Sequence, residues 1–195
     1  MLRYIGDISK QDSVVLERYA RGASNILEFG VGASTQVFAQ SASDSCKITS
    51  LDTSDEWINK TKDNFTILNI NKEVTFKSFK KWKEGLGTQK FDLIFNDGFA
   101  DLRQEFCRGA WDMLAVGGNF LAHDTRSRGS FNVLMEAATN NYLEVEHVLF
   151  NVDDSNITVI KRKLPAPYRN WNIVEGRTGW ERGIAKPPSG LWGKQ

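Results

Sequence analysis

Apolar residues recur along this chain in short blocks whose period switches between that of a helix and that of a strand. "DSVVLERYARG" (12–22) carries apolar residues at Val14, Val15, Leu16, Tyr19 and Ala20, the spacing of a helix, with Asp12 or Ser13 as the expected N-cap and Gly22 as the stop. "NILEF" (25–29) reads as a short buried strand that runs into a glycine turn, and "STQVFAQSA" (34–42) as a helix capped by Ser34 or Thr35. The alternation continues through the strand "CKITSLD", the helix "SDEWINKTKDNF" and the strand "EVTFKSF". It goes on with the strand "FDLIFND", the helix "DLRQEFCRGAWDML" and the strand "GGNFLAHD". A helix, "GSFNVLMEAATN", then leads to two strands, "YLEVEHVLF" and "NITVIKRK", joined only by "NVDDS".

Strands separated by helices must run parallel, whereas so short a final link makes a hairpin. The pattern therefore predicts an α/β fold: a doubly wound, seven-stranded, mostly parallel sheet with an antiparallel last strand at its edge. Ligands of such sheets sit at the carboxyl ends of the strands, beside the point where strand order reverses. The residues just after each strand are then the candidates, among them Asn96.

The stretch 164–195 breaks the pattern, holding all four prolines together with Trp171, Trp180 and Trp192 and no sustained period. Three tryptophans argue against a fully solvated tail. The chain accordingly divides into a domain at 1–163 and a C-terminal segment at 164–195. That segment is expected to be a strap on its own domain or an arm that covers a neighbour or the substrate mouth. As an arm it would give a homo-oligomer contact.

Length and charge narrow the function. With 195 residues, 41% hydrophobic and 25% charged, the chain supports one sizeable core. Its formal net charge of +1 offers no long-range field for nucleic acid or an anionic membrane. Cys46 and Cys107 have no zinc-type spacing, and neither a signal peptide nor a stretch long enough to span a membrane is present, so a cytoplasmic protein is expected. "KSFKKWKE" mixes four lysines with Phe79 and Trp82, a nucleic-acid combination in other settings, but in a near-neutral domain it reads as the solvated face of a short helix.

The candidate chemistry begins at "ILEFGVGAST" (26–35). A strand, a glycine turn and a helix N-terminus bring backbone N–H groups and a positive dipole end to one point, which suits a phosphate or a carboxylate. The dinucleotide fingerprint starts correctly at Gly30 and Gly32, but Thr35 stands where its third glycine belongs. Glu28 would sit badly beside a pyrophosphate and well beside an ammonium or sulfonium. Asp52, some twenty residues on at the end of the next strand, is placed to accept both hydroxyls of an unphosphorylated ribose.

Together "ILEFGVGAST", "SLDTSDEW", "FDLIFNDG" and "MLAVGGNFLAHDT" resemble the class I S-adenosylmethionine-dependent methyltransferases, over roughly Asp12 to Arg162. The small-molecule O-methyltransferase-like branch is the nearest in motif. The resemblance implies that Glu28, Gly30, Gly32 and Ser34 line the methionine end and that Asp52 takes the ribose. It places Trp57, Ser78 and Phe79 around the adenine. It implies methyl transfer to an oxygen of a small molecule or sugar, with Asp97, His123 and Asp124 converging on the transfer site. His123 is the expected general base, because an imidazole titrates near neutrality. Metal-dependent members of the branch hold a divalent cation such as Mg²⁺. Asp97 and Asp124 match two of its ligand places, while the third would fall to Thr125 or His123, a departure that argues against metal dependence. The competing readings are a non-catalytic cofactor-binding or interaction module with the same fold, and an NAD-dependent oxidoreductase, which Glu28 and Thr35 disfavour.

Overall fold

A computed structural model describes residues 2–127, 129, 132–134 and 145–163. The segment 164–195, and most of the helix expected at 129–140, lie outside the described residues. Seven strands form one sheet: β1 Asn25–Phe29, β2 Lys47–Asp52, β3 Thr75–Ser78, β4 Phe91–Asn96, β5 Leu114–Ala122, β6 Val145–Leu149 and β7 Thr158–Arg162. The helices α1 Lys10–Ala20, α2 Ala33–Ser41, α3 Asp55–Ile67 and α4 Arg103–Trp111 accompany them, and residues 129 and 132–134 are helical as well.

The order across the sheet is β3-β2-β1-β4-β5-β7-β6, and the pairs from β3 through β5 are all parallel. The hairpin strand β7 is antiparallel to both β5 and β6. It inserts between them, so the antiparallel strand lies one place in from the edge and β6 forms the edge. Strand order reverses between β1 and β4, the position at which ligand clefts open in such sheets.

Alternation along β1 divides the core. Leu27 and Phe29 face a cluster with Phe79, Trp82, Phe106 and Trp111, and Ile26 faces a second cluster with Val15, Leu16, Phe38 and Phe95. Glu28 shares the face of Ile26 and so points toward α2. Phe79 stacks on Phe29 with ring centroids 4.2 Å apart, and Trp82 lies 5.3 Å from Phe106. The aromatics of the lysine-rich stretch therefore belong to the core and not to a stacking platform, and only a 3-10 turn, Phe79–Lys81, forms there.

Local chemistry moves two helix starts from their expected caps. α1 begins one turn earlier, because Ser9 and Asp12 make a reciprocal capping box, with Ser9 Oγ accepting from the Asp12 N–H. α2 is preceded by Gly32, whose N–H donates to Thr35 Oγ1, while the Ser34 and Thr35 hydroxyls donate to Glu28. The paired glycines Gly117 and Gly118 lie within β5, where the pairing with β4 shifts between Phe91 and Leu93.

Candidate functional site

Parallel register brings the strand ends to one edge: Phe29 pairs with Leu51 and Asn96, and Asn96 with Ala122. Beyond that edge lies a cleft of about 620 Å³. Its walls include Gly30, Gly32, Ser34, Asp52, Trp57, Asp97, His123 and Asp124, all anticipated, together with Ile5, Gly6, Phe99 and Arg103, which were not.

The glycine turn is closed on itself. The N–H of Gly30 donates to Leu51 O at 2.8 Å, that of Val31 to Asp52 Oδ2 at 3.0 Å, and that of Gly32 to Thr35 Oγ1 at 3.0 Å. A phosphate cradle needs such groups pointing at the ligand, and here they are committed to the protein. Gly30 has φ +97°, and a Cβ there would stand 2.5 Å from Asp97 O, so only glycine lets β1 and β4 approach this closely.

Glu28 is fully buried and lies beneath the turn instead of lining the cleft. Its carboxylate accepts hydrogen bonds from Ser34 Oγ, from Thr35 Oγ1 at 2.7 Å and from Ser50 Oγ at 2.7 Å, the last being its register partner on β2. Burial raises its pKa to about 7 against the lowering effect of the three hydroxyls. Glu28 thus fixes the Ser-Thr pair at the start of α2 from behind, a supporting place and not the ligand contact expected of it.

Asp52 is oriented by two backbone donors, Val31 N–H on one oxygen and Ser54 N–H at 2.9 Å on the other. Trp57, on the first turn of α3, is half exposed at the cleft, with the Lys60 ammonium 4.4 Å from its ring centroid. Besides Glu28, three positions expected at the cofactor are not among the residues that line this cleft. Phe79 is turned into the core by its stack on Phe29, and Ser78 ends β3 outside the cleft wall. Asn96 is buried, donating to Arg103 O and to Cys107 Sγ.

At the other end of the cleft, His123 lies between carboxylates. Its Nδ1 is 3.2 Å from Asp97 Oδ1 and 3.3 Å from Asp124 Oδ1, and its Nε2 is 3.3 Å from Asp12 Oδ2. Burial opposes charging of the ring, but hydrogen bonds to Asp12 and Asp97 and the charges of Asp97 and Asp124 outweigh it and raise the pKa to about 10. His123 is therefore an imidazolium at neutral pH, with no lone pair to act as the expected base. Asp12, which sequence reading treated as a cap, is buried and also accepts the Asn156 N–H at 2.7 Å. Burial works to raise its pKa, yet its hydrogen bonds from His123, Ser9 and Asn156 hold it down at about 2.

Arg103 completes the cluster from the start of α4. Its Nη2 lies 3.0 Å from Asp97 Oδ1 and 3.1 Å from Asp124 Oδ2. Asp124, at φ +58°, also accepts from Asn156 Nδ2 at 3.1 Å. Among the described residues Asp97 Oδ2 accepts no hydrogen bond, which leaves this oxygen available at the cleft.

The expected metal places do not fit an ion. Ligand atoms of Asp97, His123 and Asp124 fall within 4.8 Å of one another, but both carboxylates share the Arg103 guanidinium and both ring nitrogens of His123 face carboxylates. Thr125, the other candidate third ligand, accepts from Thr158 Oγ1 at 2.8 Å and donates toward Asn151 and Asn156, away from the cleft.

No protein-family model matches the chain, and no curated protein matches it in sequence. Solved structures do match in fold. The O-methyltransferase from Bacillus cereus in complex with SAH is 20% identical, with a TM-score of 0.61 over 80% of this chain and 83% of that one. TomG from Streptomyces achromogenes, an O-methyltransferase of tomaymycin synthesis in complex with SAM, is 13% identical, with a TM-score of 0.66 over 80% and 82%. A SAM-dependent O-methyltransferase from Thermotoga maritima is 18% identical, with a TM-score of 0.66 over 83% and 68%. The chain has the Rossmann-like methyltransferase fold, as its motifs lead one to expect.

Proposed function

We propose that this protein binds S-adenosylmethionine and transfers its methyl group to an oxygen of a small molecule. The observation that carries the reading is the pairing of a closed glycine turn with Asp52. The N–H groups of residues 30–32 are spent internally, and the carboxylate they help to orient stands at the ribose position of this fold. The N–H groups of residues 30–32 are not free to meet a pyrophosphate, whereas a ribose diol finds a fixed acceptor in Asp52. The cleft volume of about 620 Å³ suits a nucleoside-sized ligand together with a small acceptor. Similarity in fold to structures holding SAM and SAH supports the same choice.

The donor's sulfonium supplies an already activated methyl group, so the protein's own work is placement and deprotonation of the acceptor. Asp52 would hold the ribose hydroxyls and Trp57 would flank the adenine. Gly30 keeps β1 and β4 close enough to form the floor, and Glu28 holds Ser34 and Thr35 in place from below. Asp97 is the group suited to the acceptor. Arg103 and His123 fix one of its oxygens, leaving Oδ2 to orient an acceptor hydroxyl and receive its proton. The imidazolium and guanidinium beside it favour a developing oxyanion, which lowers the cost of that deprotonation.

A crystal soaked with S-adenosylhomocysteine tests the assignment. The reading expects the ribose on Asp52 and the sulfur directed toward Asp97, and a nucleoside bound elsewhere would overturn it. A screen of hydroxylated acceptors with methyl-labelled donor tests the transfer. Phenols and sugars are expected to give product, and binding without any product would favour a non-catalytic module.

A further inference from the structure

A divalent ion in this fold would need Asp97 and Asp124 free to converge on it, with further oxygen ligands around. Here a guanidinium, with the His123 imidazole on the other oxygen of Asp124, does what the ion would do. Arg103 Nη2 bridges Asp97 Oδ1 at 3.0 Å and Asp124 Oδ2 at 3.1 Å. The side chain is anchored there, because its Nε donates to Gly98 O at 2.7 Å and its Nη1 to His123 O at 3.3 Å. Arg103 is also 9% exposed, too enclosed to be a surface charge that has swung in. Its planar fork and permanent charge suit a fixed bridge between carboxylates better than the mobile ammonium of a lysine.

We propose that Arg103 is the resident cation of the cleft: its guanidinium holds the place between Asp97 and Asp124 that a metal ion would need, so that the acceptor side of the site works without a bound divalent metal. Arg103 is a positioning residue in this account. It aims Asp97, which meets the acceptor, and supplies fixed positive charge behind it. The use made of that charge rests on the methyltransferase reading, while the occupation of the metal place does not.

Mn²⁺ is the probe, followed by paramagnetic resonance and by calorimetry on the full chain without nucleotide. The unmodified protein is expected to show no site filled below millimolar Mn²⁺. Arg103→Ala, which vacates the guanidinium's place between Asp97 Oδ1 and Asp124 Oδ2 and leaves His123 as the neighbouring cation, is expected to gain a site at least tenfold tighter, and Arg103→Ala/Asp124→Asn to lose it again. Arg103→Gln serves as the second variant if the alanine form does not fold. A submillimolar site in the unmodified protein that Asp124→Asn removes would overturn the proposal, as would a folded Arg103→Ala or Arg103→Gln protein with no gain in Mn²⁺ affinity. Binding of S-adenosylhomocysteine is measured in parallel with and without EDTA, and equal affinity is expected. Failure of the nucleoside to bind would count against the methyltransferase reading alone, leaving the Mn²⁺ result to decide the role of Arg103.

Discussion

His123 Nε2 lies 3.3 Å from Asp12 Oδ2, joining the end of β5 to the first turn of α1 across 111 residues of sequence. The same aspartate is half of the capping box with Ser9, so one side chain contributes both to the start of α1 and to the raised pKa of the cleft histidine.

The pair has a pH signature. The folded pKa of His123 is raised to about 10 from 6.5, so folding takes up a proton between those values. Stability from this group is complete below about pH 6.5 and is lost as pH rises toward 10. Asp12, lowered to about 2 from 3.8, contributes stability that is present above 3.8 and is lost as pH falls toward 2. His123→Gln is expected to cost about 3 kcal/mol at pH 7, because it leaves the buried Asp12 carboxylate without its cation and removes one of the two cations beside Asp97 and Asp124. In a chain of this size that is roughly 6–12 °C in Tm. The deficit should shrink as pH rises to 10, measured by thermal melts of both proteins across that range. A deficit independent of pH would show that the ring is neutral.

Gly30→Ala tests the floor of the cleft. At φ +97°, with Asp97 O 2.5 Å from the new Cβ, the substitution is expected to cost about 2 kcal/mol or more. It should also weaken nucleoside binding, because the strand ends that carry Asp52 and Asp97 must spread. Denaturant melts and calorimetry check the two effects together.

The lysine-rich stretch gives a clean contrast. Trp82→Ala is expected to destabilise the fold by about 3–5 kcal/mol, as for a large buried aromatic. Lys80→Ala/Lys81→Ala should stay within about 0.5 kcal/mol of the parent, since both lysines are exposed. Denaturant melts decide, and a neutral Trp82→Ala would restore an exposed role for this aromatic.

Asp52→Ala is expected to weaken binding of S-adenosylmethionine by more than tenfold. Hydrogen bonds to a charged acceptor are worth about 1.5–3 kcal/mol each. The loss also frees the Val31 and Ser54 N–H groups that now fix the turn. Calorimetry on the purified variant measures it, and an unchanged affinity would remove Asp52 from the site.

Much of this architecture was legible because it rests on period and punctuation. β1, β2, β4 and β5 announce themselves as apolar runs ended by Phe29, Asp52, Asn96 and Ala122, and parallel register then brings those ends together. What the sequence concealed are the roles set by contacts distant along the chain. Glu28 was read as a ligand contact, yet alternation along β1 turns it toward α2, where hydroxyls surround it. Its strand period could have said so. Asp12 was visible as a helix-start residue in "DSVVLERYARG", but nothing local to it points to His123. Arg103 carried no signal, because a lone arginine at the start of a helix looks like any solvated charge until the fold places two aspartates against it. The setting of His123 was hidden for the same reason: its neutral-range titration belongs to the isolated ring, and the carboxylates around it push that titration up.

The central claim is that the closed glycine turn and Asp52 seat S-adenosylmethionine and not a dinucleotide. Titration calorimetry of the full chain with S-adenosylmethionine and, separately, with NAD tests it most directly. The account predicts saturable binding of S-adenosylmethionine at one site and no heat of binding with NAD. Binding of NAD in the absence of S-adenosylmethionine binding would contradict it.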